Sequence, residues 1–268
     1  MSISLAQGIW ISVFAIIAGI DFWLEGFYIF RPIIVCTVVG AILGNLKLGL
    51  VAGGLTELVF AGLTPVGGTQ PPNPVMAGIM TVVLAYTTGH SPATAIGLSL
   101  PFSILTQYII LFYYSAFSVF AKKFNEYADR LELNKFRNLA YGLTLLVGLT
   151  YGVLSFLCVY AAQKPMSNFV NSFPGWLSHG FTIAGGILPA VGFAILLQTM
   201  LKGRYVPYLL LGFTAACFIK FGNLMPVAVI GGCLAAIEYY QAVRTRKIKN
   251  ELKEIRENQN DGGDSDGI

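Results

Sequence analysis

The stretch from residue 49 to residue 74 reads GLVAGGLTELVFAGLTPVGGTQPPNP. It begins as a glycine-rich apolar run with one charged residue, Glu57, and continues into a segment of glycines and prolines that a regular helix does not tolerate. Non-helical backbone of this kind is found at membrane depth only where it is buried in protein or lines a cavity. The stretch therefore predicts a broken, re-entrant segment whose peptide groups are available to a polar ligand.

The composition of the whole chain also indicates a membrane protein. Of its 268 residues, 55 % are apolar and 11 % are charged, against roughly 45–50 % and about 25 % in an ordinary soluble domain. The segments 122–137 and 244–268 hold 20 of the 30 charged residues, so the remainder is apolar enough for about seven spans of ~20 residues. We predict an all-α polytopic membrane protein in which transmembrane helices are combined with re-entrant or broken segments.

Several other functional classes are excluded by the residues present. The net charge of +4 does not indicate nucleic-acid binding, because the basic residues cluster at the ends of apolar segments. The four cysteines lie singly in apolar runs, without the spacing of a metal site or a disulfide framework. Phosphate-binding, hydrolase and dinucleotide motifs are absent. We therefore expect no catalytic residue, metal or cofactor in this chain.

The charged segments divide the chain into four regions. We predict a membrane half at 1–121 that contains the broken segment at about 49–74, a helical polar linker at 122–137, a second membrane half at 138–243, and a largely disordered tail at 244–268. Five basic residues in the linker and six in the tail place both in the cytoplasm. Four crossings between them agree with that orientation. No basic region precedes the first apolar run, so we expect residues 4–20 to be retained and not cleaved as a signal peptide.

Glu57 is the strongest candidate for a functional side chain. A carboxylate inside the bilayer costs on the order of 2.5–3.5 kcal/mol, and no other charged residue lies within nine positions of Glu57. Its two oxygens are suited to accept hydroxyl hydrogen bonds from a sugar. The alternative is a structural ion pair with Arg31 or Lys47.

Asp21 and Glu25 are four residues apart and therefore share one face of a helix, with Arg31 shortly after them. We interpret the three as a structural charge pair, in which Arg31 compensates the two acids. The alternative is a proton or Na⁺ relay, which would make the protein an ion-coupled secondary transporter. The aromatic residues at segment ends, such as Trp23, Tyr28 and Tyr114, are typical of an interfacial belt, although stacking on a sugar stays open.

Longer blocks resemble a known family. The segments are FRPIIVCT at 30–37, GAILG at 40–44, GLVAGGLTE at 49–57, the segment 62–72 and AGGILP at 184–189. They resemble the membrane subunit IIC of the mannose/fructose/sorbose family of bacterial phosphotransferase systems, from about residue 5 to residue 245. The segments 63–74 and 100–103 are most similar to the N-acetylgalactosamine/galactosamine branch.

The resemblance implies a sugar transporter of the bacterial inner membrane with a cytoplasmic C-terminus. It implies a IID membrane partner in a trimer of IIC–IID pairs, and an elevator-like motion of a core against a scaffold. The phosphoryl group is passed by histidines of the soluble IIA and IIB proteins, so His90 and His179 need no role. Glu57 matches the intramembrane glutamate of the family, whereas Asn73 replaces an aspartate that is common there.

Together these observations predict a substrate-binding set. Its members are Glu57, Val66, Gly67, Gly68, Thr69, Gln70 and Asn73. We expect Glu57 to accept the hydroxyl protons, while the polar side chains and the glycine peptide groups orient the ring. The alternative for Thr69, Gln70 and Asn73 is capping and turn formation ahead of Pro74. Besides the ion-coupled transporter, a receptor or scaffold subunit that does not transport stays open.

Overall fold

The computed structural model describes residues 2–63, 71–161, 172–218 and 225–261. In these ranges the chain forms ten α-helices and no strand. They are α1 (Leu5–Leu24), α2 (Pro32–Ile42), α3 (Leu46–Phe60), α4 (Pro74–Thr88), α5 (Pro92–Phe117), α6 (Ala121–Asp129), α7 (Leu133–Phe156), α8 (Gly175–Met200), α9 (Val206–Phe218) and α10 (Met225–Asp261).

Five helical stretches in the described ranges are long and apolar enough to cross a membrane. They are Leu5–Leu24, Pro92–Asp129, Leu133–Ala161, Gly175–Gln198 and Met225–Leu252. Two more helices, α2 and α4, are apolar but shorter. The prediction of an all-α polytopic membrane protein is confirmed.

The prolines that break the apolar runs are helix starts in the structure. Each of α2, α4 and α5 has a proline in its first turn, where the missing N–H is not needed and the fixed φ suits the helix. Asn73 caps α4 by accepting the main-chain N–H of Met76 at 3.1 Å, and Ser91 caps α5 in the same way. The sequence therefore defines these helix starts locally.

Helices α2 and α3 pack against each other as a short pair joined by a tight turn. With 11 and 15 residues, they are roughly 16 and 22 Å long, whereas the hydrocarbon core of a bilayer is ~30 Å thick. A Cβ on Gly49 would lie 2.6 Å from the carbonyl oxygen of Cys36, so the two backbones approach as closely as only glycine permits. Neither helix is long enough by itself to cross the bilayer.

Helix α4 forms the centre of the core. Twelve of its 15 residues are buried, from Pro74 to Ala85, and it packs against α1, α2, α3, α5 and α7. A helix that is covered on all sides needs no polar face. Its nearly continuous apolar sequence follows from this position.

The chain forms two compact units, Met1–Met200 and Leu201–Ile268. Within the first unit, α7 packs along α1, while α8 packs against α3 and α5. Helices from both sides of the linker thus share one core, which differs from the predicted halves 1–121 and 138–243. The second unit contains α9 and α10, which contact each other.

The linker and the tail also differ from their predicted bounds. Residues 122–137 contain most of α6, a turn with Leu131 at a φ of 55°, and the start of α7 at Leu133. The tail was expected to be disordered, but α10 continues to Asp261. Lysine, arginine and glutamate dominate residues 244–257, and these residue types favour a helix even where no core supports it.

Candidate functional site

A cavity of about 340 Å³ lies in the first unit, where the loop between α1 and α2 meets α3, α4 and α5. Most of its wall is apolar, and three residues bring charged or amide groups to it. The lining residues are Phe22, Trp23, Glu25, Tyr28, Phe30, Arg31, Pro32, Phe60, Leu63, Pro71, Pro72, Pro74, Gln107 and Tyr114. A mostly apolar cavity with a few directional polar groups is typical of a small-molecule site.

The cavity adjoins the predicted binding segment. Leu63 and Pro71, which stand on either side of residues 64–70, both line it. Val66, Gly67, Gly68, Thr69 and Gln70 lie outside the described residues. The described flanks of the segment thus meet at the cavity wall.

Aromatic rings form a flat part of the wall. The rings of Trp23 and Tyr114 are stacked, with centroids 5.0 Å apart and planes at 20°. Tyr28 and Phe30 lie beside each other at 5.6 Å. These large, rigid and partly polar surfaces suit a ligand that has both C–H faces and hydroxyl groups. Helix α5 supplies Tyr114 to this wall although the predicted site lay entirely in residues 57–73.

Asp21 organises the loop between α1 and α2. It is only 5 % exposed, and its carboxylate accepts hydrogen bonds from the main-chain N–H groups of Phe27 at 2.7 Å, Ile29 at 2.6 Å and Phe30 at 3.3 Å. A carboxylate that accepts several main-chain bonds is satisfied without a cation. Asp21 therefore holds in place the loop that carries Glu25 to the cavity wall.

The partner of Arg31 is Glu57 and not the acidic pair at 21 and 25, which corrects the predicted structural charge pair. Arg31 Nε donates to Glu57 Oε1 at 2.7 Å, and Arg31 Nη2 donates to the same oxygen. Glu57 Oε2 accepts the main-chain N–H of Ile33 at 3.2 Å. The structural alternative for Glu57, an ion pair with Arg31, is therefore what the geometry shows.

The two members of this ion pair differ in their position relative to the cavity. Arg31 lines it, whereas Glu57 is not among the lining residues. The side chain of Arg31 is 37 % exposed and that of Glu57 is 23 % exposed. Of the two members of the ion pair, Arg31 therefore contributes to the cavity wall and Glu57 does not.

Asn73 does not take the position predicted for a sugar ligand. It is fully buried, and its side chain caps α4 and donates to the hydroxyl of Tyr151. Its main chain exchanges two hydrogen bonds with Ser103, at 3.2 Å from Asn73 N and at 2.6 Å to Asn73 O. With these groups engaged in the core, the capping alternative describes Asn73.

The sequence interpretation did not place Arg31 in the site, and it left open whether Trp23, Tyr28 and Tyr114 stack on a sugar. One signal was available for Arg31, which is the only basic residue before Lys47, because a lone cation between apolar segments needs a polar function or a partner. Among the described residues, no group of three or more histidine, cysteine or acidic side chains is placed to hold a metal ion.

Comparisons with known proteins agree with this architecture. A family model described as the sorbose-specific IIC component of the phosphotransferase system matches residues 5–237. The chain is 54 % identical over 240 residues to the N-acetylgalactosamine permease IIC component 1 of Escherichia coli K12, with 90 % of each protein covered. It is 30 % identical over 238 residues to the sorbose-specific EIIC component of Klebsiella pneumoniae, with 88 % of this chain and 89 % of the relative covered.

Two solved structures are similar. One is described as "Structure of membrane protein", with 28 % identity, a TM-score of 0.80, and coverage of 90 % of this chain and 97 % of that one. The other is the mannose transporter ManYZ in complex with microcin E492, with the same identity and coverage and a TM-score of 0.57. The chain therefore belongs to the sorbose-specific IIC family, the membrane-embedded sugar-transport components of bacterial phosphotransferase systems.

Proposed function

We propose that this chain carries N-acetylgalactosamine across the bacterial inner membrane. The observation that carries the proposal is the 54 % identity, over 90 % of both proteins, to a relative named as an N-acetylgalactosamine permease component. A change of substrate within a family is usually made by a few side chains of the site. The substrate therefore depends on which side chains line the cavity, and the substrate assignment must be tested by experiment.

The cavity in the first unit is suited to a single sugar. Its volume of about 340 Å³ lies near the lower end of the roughly 300–1,000 Å³ found for small-molecule sites. Trp23 and Tyr114 offer a face for the C–H side of the ring, while Glu25 and Gln107 bring acceptor and amide groups to its hydroxyls. The residues between Leu63 and Pro71, among them Thr69 and Gln70, complete the site in this proposal.

Phosphorylation makes the transport one-way. A phosphate adds about −1.5 to −2 charges at neutral pH, and moving such an anion back through an apolar cavity is prohibitively unfavourable. In this proposal the IIA and IIB proteins supply the phosphoryl group at the cytoplasmic side, and the chain itself binds and moves the neutral sugar. The basic residues of 122–137 and 244–256 keep both segments, and hence the C-terminus, in the cytoplasm.

The chain works with a IID membrane partner in this proposal, as a trimer of IIC–IID pairs in which a core moves like an elevator against a scaffold. Large apolar side chains such as Trp10, Leu105 and Phe213 are exposed, and they require lipid or another membrane protein around them. The expected partner is a IID subunit because the family resemblance implies one.

Uptake of labelled sugar tests the proposal. Cells that lack their own N-acetylgalactosamine uptake would express the chain together with the IID, IIA and IIB proteins of its system. We expect N-acetylgalactosamine to accumulate as its phosphate, mannose to be taken up at least tenfold more slowly, and no accumulation when IIB is withheld. Equal uptake of the two sugars, or none, would refute the substrate assignment.

A protonophore separates this proposal from ion-coupled transport. Uptake that is driven by phosphoryl transfer continues at its initial rate when the proton gradient is collapsed. Uptake that stops with the protonophore but continues without IIB would instead favour the relay at Asp21 and Glu25. The engagement of the Asp21 carboxylate by main-chain N–H groups argues against such a relay.

A further inference from the structure

We propose that Arg31 recognises the acetamido group of the sugar, and that Glu57 is a positioning residue that holds Arg31 in place. The inference rests on the proposed function, because it concerns how the same cavity distinguishes N-acetylgalactosamine from galactose and galactosamine. It changes the expected role of Glu57, from a group that touches the sugar to one that acts through Arg31.

Both oxygens of Glu57 are already engaged in hydrogen bonds. Oε1 accepts two N–H groups from Arg31, and Oε2 accepts the main-chain N–H of Ile33. Glu57 also lies outside the lining of the cavity. Oε2 keeps one acceptor site, but because Glu57 does not line the cavity, a sugar bound there meets Arg31 and not this carboxylate.

Arg31 lines the cavity and retains hydrogen-bonding capacity beyond the ion pair. A guanidinium has five N–H donors and no acceptor, and Glu57 engages one on Nε and one on Nη2. The two N–H groups of Nη1 and the second of Nη2 are left for other acceptors. Because Glu57 fixes the plane of the guanidinium, these donors are held in a set direction before the sugar binds.

The acetamido group is the part of the sugar that suits these donors. An amide carbonyl is a strong hydrogen-bond acceptor and has no proton to donate, which matches a side chain that can only donate. The 2-hydroxyl of galactose is a weaker match, and the ammonium of galactosamine has donors only, so it cannot accept an N–H from Arg31. We therefore expect affinity to fall in the order N-acetylgalactosamine, galactose, galactosamine. A hydrogen bond to a charged group corresponds to about 10- to 100-fold discrimination.

Competition binding tests the inference. Labelled N-acetylgalactosamine would be bound to membranes that contain the chain with its IID partner, and displaced by unlabelled N-acetylgalactosamine or galactose. The double variant Arg31→Met/Glu57→Leu removes both charges together, so that no unpaired buried charge is left. We expect the ratio of the two dissociation constants to fall from at least tenfold to less than threefold. The affinity for galactose should change less than threefold.

Two single variants keep the test informative if the double variant does not assemble. Arg31→Lys retains the charge and the pairing with Glu57 but loses the planar fork, and we expect it to lower the ratio at least fivefold. Glu57→Gln retains Arg31 but loosens it, and should lower the ratio two- to fivefold. Lys47→Met removes an exposed cation from the helix that carries Glu57, and should leave the ratio unchanged.

The outcomes distinguish the inference from the proposed function. If the parent protein binds no N-acetylgalactosamine, the proposed function fails. If the parent protein binds it and the ratio is unchanged in Arg31→Lys and in any double variant that assembles, Arg31 does not read the acetamido group. An equal loss of affinity for both sugars would show a structural role for Arg31, and would also overturn the inference.

Discussion

Two polar clusters of the first unit illustrate how a membrane protein uses polar side chains in different ways. The closed cluster consists of Asn73, Tyr151 and Ser103, which are at most 1 % exposed, and Asn73 is hydrogen-bonded to both of the others. The open cluster consists of Arg31 and Glu57, which are 37 % and 23 % exposed, with Arg31 on the cavity wall. The clusters flank the same break in the sequence, yet the first stabilises a helix start and the second faces a ligand space.

The difference between the clusters lies in what remains unbonded. In the closed cluster, Asn73 is engaged through both its side chain and its main chain, so a ligand has nothing to bind. In the open cluster, the ion pair leaves guanidinium donors available beside a cavity. We therefore expect changes in the closed cluster to lower the amount of folded protein, and changes in the open cluster to alter sugar affinity.

The largest effect is expected for Asn73→Leu. The change removes the cap of α4 and leaves the Met76 N–H and the Tyr151 hydroxyl without their Asn73 partner in the core. Loss of a cap costs about 1 kcal/mol and a buried unpaired group about 1–3 kcal/mol, so we expect a loss of roughly 2–4 kcal/mol. Thermal unfolding in detergent measures it. The KM for sugar of the protein that remains folded should stay within twofold, and a large rise in KM would place Asn73 in the site.

Asp21→Asn is expected to have the next largest effect. An amide has one acceptor oxygen, and its NH₂ group would face main-chain N–H groups that now bond to the carboxylate. We expect a loss of about 1.5–3 kcal/mol in the same thermal assay. Glu25→Gln is the matched control, because Glu25 ends the same helix but is exposed. It should leave the stability unchanged. Similar losses for both variants would contradict the structural role of Asp21.

A smaller effect is expected for Trp23→Leu, which removes a flat face of the cavity but keeps an apolar side chain. Trp23 stacks on Tyr114 at the cavity wall, and we expect the KM for sugar uptake to rise about tenfold, which corresponds to about 1.4 kcal/mol. The control is Trp10→Leu on the same helix, because Trp10 is 64 % exposed and does not line the cavity. A rise in KM in the control, or none in Trp23→Leu, would contradict the assignment of the cavity.

The smallest effect is expected for Asn73→Asp. Aspartate caps a helix as well as asparagine does and is favoured by the helix dipole, while burial of its charge opposes both gains. The Tyr151 hydroxyl can reverse and donate to the new carboxylate. We expect the free energy of unfolding to change by less than about 1 kcal/mol. A loss as large as that of Asn73→Leu would show that the closed cluster cannot reverse its hydrogen bonds.

Much of the fold was predictable because its signals are local. Hydropathy separated the apolar segments from the charged ones, and Pro74 and Pro92 are the first residues of α4 and α5 in the structure. The tail was the exception, since its polar composition was taken for disorder while α10 continues to Asp261. The helix propensity of these charged residues, which does not depend on packing against a core, outweighed the effect of their polarity.

The site was predictable only in part. The sequence pointed to the region around the break, and Leu63 and Pro71 at its flanks do line a cavity. It named Trp23 and Tyr114 as interfacial aromatic residues and left stacking on a sugar open. It did not indicate that α1 and α5 bring them together in one wall, because a position at the end of an apolar segment does not show which helices pack together. It also left two roles open for Glu57, as a residue that binds the sugar or as the ion-pair partner of Arg31. Both roles require a carboxylate in an apolar run.

The sequence by itself determined that this chain is a helical membrane protein, where many of its helices begin, and which family it resembles. Hydropathy, proline and glycine act over a few residues, so these properties can be obtained without coordinates. Only the tertiary structure decided that Arg31 pairs with Glu57, 26 residues away, and that Asn73 meets Tyr151, 78 residues away. Such pairings depend on which helices pack together, and one polar residue in an apolar run is equally compatible with several partners until the helices are in place.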